Sequence, residues 1–412
     1  MKVLWLSNVV LTNGDFKTTG TWLNSLAERL IKLDDFKLGN ITDGECRQTQ
    51  FIKTGNVDQW IVPSSTNLRN GLPAESTIKD IKDSVDVFCP DIIHIWGTES
   101  FWGLLTARQI LGKQTLLETQ GLKFAISYVY SGGLSTRQQI ACTGLKEVLR
   151  KSRIARKQKD FYQWGRFEKE IIANHQNITV QSDWLEGQVR HINRKAAIFR
   201  NDFFLREPFY KGNHWNGGYK KPIIFCISAY PAPFKGLHIA IRSIAILKKK
   251  YPDIELRIAG AHQRKGLRRE GYIHWINRLI KQLGLDHNIT WLGSISAKQI
   301  VDELMNCRAI VIPSYIEGYC LGLAEAMYLG VPAVVSFAGG ASNLAKDEFS
   351  ALFFSPGDES MCAWNIERII NDSDLALRLS RNAHQIALVR NNPEKIIKKQ
   401  MKIYQQVLED IV

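Results

Sequence analysis

The 412-residue chain has few of the features that mark exported, membrane-spanning or metal-binding proteins. Its seven cysteines stand singly without a C-x-x-C pair, and its nine histidines show no metal-ligand spacing. No apolar run approaches the ~18 residues needed to cross a membrane, and the N-terminal segment lacks the long apolar stretch of a signal peptide. The composition therefore predicts a cytoplasmic protein whose cysteines are mostly small core residues.

The sequence also lacks low-complexity segments, and its charges are not balanced. Apolar residues make up 45% of the chain and charged residues 23%, which is ordinary for a globular protein. However, 54 basic residues outnumber 40 acidic ones, for a formal net charge of +14. Such an excess predicts an acidic partner, which could be nucleic acid, anionic lipid or a phosphorylated substrate.

Nine basic residues are concentrated in the segment 146–169, where they alternate with Phe161, Tyr162, Trp164 and Phe167. Helical spacing would gather Phe161, Trp164 and Phe167 on one side of a helix. This pattern predicts a segment that lies in the headgroup layer of an anionic membrane. The alternative is a solvated helix whose aromatic residues pack on the domain. Nucleic-acid binding is the least favoured partner because no recognition motif accompanies the basic residues.

Apolar runs of strand length alternate with helical patterns in two blocks of the chain. Continuous Val/Ile/Leu runs separated by helices predict parallel sheets covered on both faces. Since one core rarely grows beyond ~250–300 residues, two domains are expected. We predict an N-terminal domain at 1–208, a C-terminal domain at 209–392, and a helix at 393–412 long enough to cross the boundary. Ligands should bind between the domains, at the carboxyl ends of the strands.

The most informative motif is a pair of glutamates, Glu317 and Glu325, where the apolar strand 309–313 gives way to a helix. A helix that starts near Gly318 would place the two carboxylates roughly 12 Å apart along its axis. Free amides at such a helix start favour an anion. The distance suits a nucleotide diphosphate sugar, with one acid on the sugar and the other on the ribose. An ordinary capped helix with two exposed acids is the alternative on spacing alone.

The sequence around these glutamates, followed by 330–332 and 339–340, resembles the nucleotide-sugar site of glycosyltransferase family 4, which comprises retaining enzymes of the GT-B fold. The resemblance covers nearly the whole chain. Residues 1–8, with the loop 19–22, resemble the first strand and phosphate-facing loop of the family, and 234–238 resemble its diphosphate-binding lysine turn. The resemblance implies an α/β protein of two doubly wound, Rossmann-like domains facing a central cleft, with the C-terminal helix packed on the N-terminal domain.

The resemblance also implies roles for individual residues. Glu317 corresponds to the acid that contacts the donor sugar and Glu325 to the acid that binds the ribose. Lys235 corresponds to the cation that neutralises the leaving diphosphate, although a solvated lysine would look the same in the sequence. The other donor-binding residues implied are Gly20 and Thr21 of the first loop, Gly318, Tyr319, Cys320 and Leu321 at the helix start, and Ile295, whose backbone would bond the base.

The chain departs from the family pattern at two positions. The arginine expected five or six residues before Lys235 is absent, because Ser228, Ala229 and Tyr230 stand there. One diphosphate cation is therefore missing, and Tyr230 takes its place beside the donor. Many members have a histidine near the sugar where this chain has Gln120. Gln120 can bond a sugar hydroxyl or the leaving group but cannot protonate either.

No Asp-x-Asp in a plausible loop indicates a metal, so neither a metal nor another cofactor is expected. The resemblance implies a cytoplasmic, metal-independent retaining transferase of the hexosyltransferase type. Its donor would be a nucleotide diphosphate sugar, with UDP favoured over GDP, and its acceptor a glycan or lipid-linked hydroxyl in bacterial surface polysaccharide assembly. Peripheral contact with the inner face of the cell membrane is also expected.

Two alternatives use the same nucleotide pocket. One is a nucleotide-sugar epimerase or hydrolase on the same fold, which would need no acceptor. The other is a nucleotide-sugar-binding partner subunit without activity, and it is motivated by the two departures from the family pattern.

Overall fold

The computed structural model describes most of the chain. The described residues are 1–11, 22–64, 68–149, 152–217, 221–228, 230, 232–260 and 271–409. Gly20 and Thr21, predicted to meet phosphate, lie outside these residues, as does Ala229.

Within the described residues, the N-terminal domain is built on an eight-stranded sheet. Its strands are β1 (Lys2–Leu6), β2 (Lys37–Gly44), β3 (Gln50–Thr54), β4 (Val57–Pro63), β5 (Ile92–Trp96), β6 (Gln114–Glu118), β7 (Asn177–Val180) and β8 (Ala197–Arg200). Their spatial order is β3-β4-β2-β1-β5-β6-β7-β8, and every pair is parallel except β3 with β4. The helices of this part of the chain are α1 (Trp22–Leu30), α2 (Glu75–Phe88), α3 (Trp102–Ala107), α4 (Lys123–Val129), α5 (Thr136–Ala141), α6 (Leu145–Leu149), α7 (Ile154–Ala173), α8 (Asp183–Ile192) and α9 (Glu207–Tyr210).

The C-terminal domain has a six-stranded, wholly parallel sheet within the same limits. Its strands are β9 (Ile223–Ile227), β10 (Glu255–Ala259), β11 (Ile289–Gly293), β12 (Ala309–Ile312), β13 (Ala333–Ser336) and β14 (Leu352–Phe354), in the order β11-β10-β9-β12-β13-β14. A 3-10 helix at Pro233–Lys235 precedes α10 (Leu237–Lys248), and the other helices are α11 (Gly271–Gln282), α12 (Ala297–Asn306), α13 (Leu321–Leu329), α14 (Ala341–Leu344), α15 (Glu359–Asn371), α16 (Ser373–Arg390) and α17 (Pro393–Glu409).

The two parallel sheets confirm the predicted fold class. In β1, Val3 and Trp5 pack into one core while Leu4 and Leu6 pack into another, because successive side chains of a strand point to opposite faces. Both faces of the sheet are therefore covered, which explains the continuous apolar runs. The predicted boundary after residue 208 falls between the last strand of the first sheet and the first strand of the second.

The strands β2, β3 and β4 were not predicted, and their sequences show why. Strand β2 buries Asn40 and Thr42 among its apolar residues, so its apolar pattern is interrupted. Strand β3 is an exposed edge strand, joined to β4 through Gly55, whose φ of 60° suits a tight hairpin turn. Polar strands of this kind give little periodic signal.

The C-terminal helix α17 packs on the N-terminal sheet. Its Tyr404 is fully buried, and the Tyr404 hydroxyl accepts a hydrogen bond from Trp5 Nε1 at 3.3 Å. The same hydroxyl lies 2.9 Å from Nδ1 of His94 on β5. Burial lowers the pKa of His94 to about 3, so this imidazole stays neutral at physiological pH. Tyr404, near the end of the chain, is thus part of the core that packs against β1.

Helix α7 corrects one prediction about the basic segment. Trp164 donates from Nε1 to the Thr98 carbonyl at 3.0 Å, and Phe161 lies 4.9 Å from the ring of Tyr130. Together with the half-buried Phe167, these aromatic residues pack against the domain, as in the alternative given for this segment, whereas Tyr162 is exposed. Basic residues of α7 remain exposed on its other side. No helix among the described residues is long and apolar enough to cross a membrane.

We expect Tyr404→Phe to destabilise the protein although it leaves the core volume almost unchanged. The substitution removes the polar partner of Trp5 and His94 in a buried site, which should lower the free energy of unfolding by about 1–3 kcal/mol. The matched control is Gln405→Ala, next in sequence and exposed, which should change it by less than about 0.5 kcal/mol. Urea unfolding measures both, and equal stabilities would contradict this account of α17.

Candidate functional site

A cavity of about 410 Å³ lies between the two domains, at the carboxyl ends of their central strands. Parallel α/β sheets place ligands at this edge. The N-terminal side of the cavity includes Glu99, Gln120, Gly121, Leu122, Ile126 and Trp184, and the C-terminal side includes Tyr230, Phe234, Lys235, Ser314, Glu317, Gly318, Tyr319, Cys320, Leu321 and Gly322. Most of the residues predicted to bind the donor therefore meet in one cleft.

The lysine turn and the glutamate loop are held together because they follow neighbouring strands, β9 and β12. Gly236 adopts a φ of 70°, and a Cβ at this position would lie only 1.9 Å from the carbonyl oxygen of Pro313. Only glycine therefore fits this approach. The Tyr315 amide also donates to the Phe234 carbonyl at 2.7 Å. These contacts fix Lys235 beside the loop that carries Glu317.

Lys235 and Glu317 form an ion pair in the wall of the cavity. Lys235 Nζ donates to Glu317 Oε1 at 2.7 Å, and the Ser314 hydroxyl donates to the same oxygen at 2.6 Å. Both partners are partly buried. The pair presents a positioned cation and a positioned carboxylate to the cavity, with the second carboxylate oxygen of Glu317 available to a ligand.

Helix α13 spans Leu321–Leu329, the range of the helical pattern in the sequence, and does not begin near Gly318, the start assumed for the distance between the two glutamates. Glu317 lies in the preceding loop, and the separation estimated from helical rise does not apply to it. Cys320 ends this loop with a φ of 76°, which is strained for a residue with a side chain. Among the described hydrogen bonds, the amides of Tyr319, Cys320, Leu321 and Gly322 donate to no protein acceptor. The start of α13 is therefore able to bind an anion.

Glu325 lies one turn into α13 and pairs with an arginine just before α9. Its side chain is 3% exposed, and its two oxygens accept hydrogen bonds from Arg206 at 2.7 and 2.6 Å. Glu325 is not among the described residues that line the cavity. The two glutamates of the motif thus occupy different environments, because Glu317 pairs with a lysine inside the cleft and Glu325 with an arginine of the linker.

The other predicted residues divide between the cleft and its surroundings. Gln120 and Gly318 meet across the cleft, since a Cβ on Gly318 would lie 2.0 Å from the Gln120 carbonyl oxygen. Tyr230 stands at the cavity with 44% of its surface exposed. Ile295 packs partly buried against the core and is not among the described lining residues. Its predicted contact with the base therefore stays a prediction.

Two side-chain hydrogen bonds also join the two domains at the cleft. The Ser182 hydroxyl donates to the Gly318 carbonyl at 3.0 Å, and the Asn343 side-chain amide donates to Asp183 at 2.6 Å. The hydrogen bond from Asn343 and the charge of Arg200 lower the pKa of Asp183. The N-terminus of α8 is thereby held to the loop that carries Glu317.

Sequence reasoning missed four residues of the site, namely Glu99, Trp184, Arg206 and Ser314. Arg206 lies in the linker, where no periodic pattern marks it. Glu99 follows β5, a mostly apolar run in the sequence, and its place at the carboxyl end of such a run was the one available signal. Within the described ranges, no group of three or more His, Cys, Asp or Glu side chains could hold a metal ion.

Part of the chain is similar in sequence to known proteins. Residues 214–386 match the family of glycosyl transferases group 1. An uncharacterised glycosyltransferase of Methanocaldococcus jannaschii is 25% identical over 175 residues, which are 42% of this chain and 43% of that protein. The match spans less than half the length of this relative. Residues 214–386 are therefore similar in sequence to glycosyltransferases.

Solved structures match nearly the whole chain. Sucrose-phosphate synthase from Thermosynechococcus elongatus has a TM-score of 0.75 at 17% identity, with 99% of each chain covered. Anabaena HepE in complex with UDP-glucose has a TM-score of 0.64 at 15% identity, again with 99% of each chain covered. These likenesses concern the fold, and they show that the chain has the GT-B fold.

We expect removal of Arg206 to cost stability through Glu325. Arg206→Met leaves a buried carboxylate without its cation, which should lower the free energy of unfolding by about 3 kcal/mol. The double variant Arg206→Met/Glu325→Met should lose less than the sum of the two single variants. Arg381→Met, on an exposed position of α16, is the control. Additive losses in chemical denaturation would show that the pair is not coupled.

Proposed function

We propose that the protein is a retaining glycosyltransferase that moves a sugar from a UDP-sugar to an acceptor hydroxyl. The observation that carries the proposal is the Lys235–Glu317 pair beside the free amides that begin α13. A cation and a helix N-terminus together suit a diphosphate, and the adjacent carboxylate suits sugar hydroxyls. The fold shared with HepE, which was solved with UDP-glucose, supports this class of donor.

Lys235 and the α13 amides would act on the leaving group. Negative charge grows on the diphosphate as its bond to the sugar breaks. A cation and dipoles already aimed at that position stabilise the transition state more than the ground state. Since these protein groups provide positive charge at the leaving group, we propose a metal-independent reaction.

The two motif glutamates would hold the donor at different points. The free oxygen of Glu317 would accept a hydrogen bond from a hydroxyl of the donor sugar. Glu325 would bind the ribose while still paired with Arg206, since each carboxylate oxygen can accept more than one hydrogen bond. Gln120, on the opposite side of the cleft, would contact the sugar.

In the front-face route, the leaving phosphate oxygen takes the proton of the acceptor hydroxyl. The acceptor oxygen bonds to the anomeric carbon on the face that the diphosphate leaves, so the configuration of the sugar is retained. This route requires no histidine at the position of Gln120. Transfer of a hexose to a glycan or lipid-linked acceptor in bacterial surface polysaccharide assembly is the role that we propose.

Thermal unfolding in the presence of UDP, GDP or ADP tests the donor assignment. A nucleotide at 100 times its dissociation constant should add roughly 2.7 kcal/mol of stability, and we expect UDP to give the largest shift. A protein that none of the three stabilises would lack the proposed site. Binding of UDP without turnover of UDP-glucose would favour the inactive partner subunit, and conversion of UDP-glucose without an acceptor would favour an epimerase or hydrolase.

Lys235→Ala should lower the rate of sugar transfer about a hundredfold or more, because the leaving diphosphate loses its positioned cation. Lys249→Ala, at an exposed position after α10, is the matched control and should leave the rate unchanged. UDP release from UDP-glucose, followed with each variant, gives the comparison. Equal rates would make Lys235 an ordinary structural lysine.

We also propose that the protein docks on anionic membrane, through charge more than through the aromatic residues of α7. Its basic residues Arg153, Arg156 and Lys159 are exposed. Val148 and Leu149 of the neighbouring α6 are exposed apolar side chains, 44% and 73% accessible. Each surface cation near acidic lipid adds about 1 kcal/mol of attraction.

Charge reversal separates this docking from non-specific attraction. The variant with Arg153, Arg156 and Lys157 changed to Glu should lose sedimentation with anionic vesicles at low salt. The control reverses three exposed lysines of the same domain, Lys79, Lys82 and Lys113, and should retain most of the binding. If both variants bind alike, the segment has no special role and a soluble acceptor becomes the better proposal.

A further inference from the structure

A carboxylate outside the glutamate motif also faces the cleft. Glu99 follows β5 in the N-terminal domain and lines the cavity beside Gln120 and Trp184. It stands on the wall opposite Lys235 and Glu317. No part of the proposed donor chemistry uses it.

The position of Glu99 is fixed by its neighbours. Its Oε1 accepts a hydrogen bond from the Gly121 amide at 2.9 Å. Its Oε2 lies over Gly97, where a Cβ would come within 2.2 Å of that oxygen and where φ is 97°. Glycine at this position therefore makes room for the carboxylate. The backbone carbonyl of Glu99 accepts from Lys123 Nζ at 2.6 Å, which holds the loop from the other side.

Glu99 is also close to the donor side of the cleft. The Gly121 amide that it binds adjoins Gln120, whose carbonyl touches Gly318, the residue after Glu317. The peptide group between Gln120 and Gly121 therefore lies between Glu99 and the loop that would hold the donor sugar. A group bound to Glu99 would lie beside that sugar.

The side chains near Glu99 suit a sugar. Its carboxylate and the Gln120 amide offer polar contacts to hydroxyl groups, while Trp184 and Ile126 supply apolar surface. A pyranose has the same division, with hydroxyls at its edge and C–H groups on its faces. A purely apolar acceptor would take water away from the carboxylate without offering it a hydrogen bond, which is costly for a charged group.

The geometry points to Glu99 as the carboxylate that binds and orients the hydroxyl of a sugar acceptor. This inference rests on the proposed function and adds the acceptor class to it. Glu99 Oε2 accepts the hydrogen of a hydroxyl next to the reacting one on the acceptor sugar, which directs a lone pair of the reacting oxygen toward the anomeric carbon and leaves its own hydrogen toward the diphosphate. As the new C–O bond forms, the bond to the diphosphate breaks with its electron pair on the leaving oxygen. The acceptor proton moves to that oxygen, and Glu99 remains ionised.

The charged and titratable groups around Glu99 make its ionisation sensitive to pH. Burial raises the pKa of Glu99, while the Gly121 amide and the charge of Lys123 lower it in part. Burial also raises the pKa of Glu168 on α7 to about 7, and Glu168 faces Lys123 as well. Once protonated, the Glu99 carboxyl can no longer accept the acceptor hydrogen in the same way, so acceptor binding should weaken as pH falls.

Glu99→Gln tests the inference because the amide oxygen can still accept from the Gly121 amide. With UDP-glucose as donor and a panel of free hexoses, N-acetylhexosamines and disaccharides as acceptors, we expect the acceptor KM to rise about 10- to 100-fold, as for loss of a charged hydrogen bond. The dissociation constant of UDP should change less than about twofold, since no donor contact is assigned to Glu99. Glu99→Asp, which keeps the charge, should recover part of the transfer.

The control is Glu75→Gln, an exposed glutamate of the same domain, which should behave as the unmodified protein. If Glu99→Gln leaves transfer unchanged, or weakens UDP binding as much as transfer, the inference is wrong while the donor assignment stands. If the unmodified protein binds no UDP, the proposed function itself fails. Loss of transfer to every sugar with UDP binding intact supports the acceptor role.

The pH profile gives a readout that a structural role would not change. In the unmodified protein, kcat/KM for the acceptor should fall on the acid side as Glu99 takes up a proton. In Glu99→Gln this fall should be reduced, and what remains would report Glu168. If kcat/KM for the acceptor falls in the same way at low pH in both proteins, the assignment is wrong.

Discussion

The ion pair between Lys235 and Glu317 is the interaction on which the cleft depends. It joins the loops that follow two neighbouring strands, β9 and β12, and it forms only because Gly236 allows the lysine turn to touch the end of β12. The pair holds two opposite charges at the edge of a cavity before any ligand arrives. Positioned charges need little reorganisation when the charge of a substrate changes, which is the main source of electrostatic catalysis.

Three carboxylates near the cleft differ in their partners, and their partners separate their roles. Glu317 has a lysine and a serine hydroxyl on one oxygen, Glu325 has both oxygens on Arg206, and Glu99 has a backbone amide. Burial raises the pKa of Glu99, while backbone amides and the charge of Lys123 lower it in part. Glu99 accepts its hydrogen bonds from backbone amides and lines the cavity, so a hydroxyl ligand can add to them.

Much of the fold and part of the site could be predicted from the sequence. Strands such as β5 and β12 are continuous apolar runs, and Glu317 and Lys235 follow strands, so their meeting at one sheet edge follows from topology. The pairing of Glu325 with Arg206 could not be foreseen, because 119 residues separate them and the linker has no periodic pattern. The backbone just before α13 could not be foreseen, since Cys320, and not a glycine, takes the left-handed conformation there.

The direction of the aromatic residues on α7 shows what a helical pattern leaves open. Spacing places Phe161, Trp164 and Phe167 on one side of the helix, but it does not say whether that side meets lipid or protein. The answer comes from Gly165, which lets α7 approach Phe124 so closely that a Cβ there would lie 2.5 Å from it. Close packing of α7 on α4 brings the aromatic side inward and leaves the basic side outward. The aromatic residues of α7 also help to position Glu99. Trp164 donates a hydrogen bond to the carbonyl of Thr98, and Thr98 directly precedes Glu99.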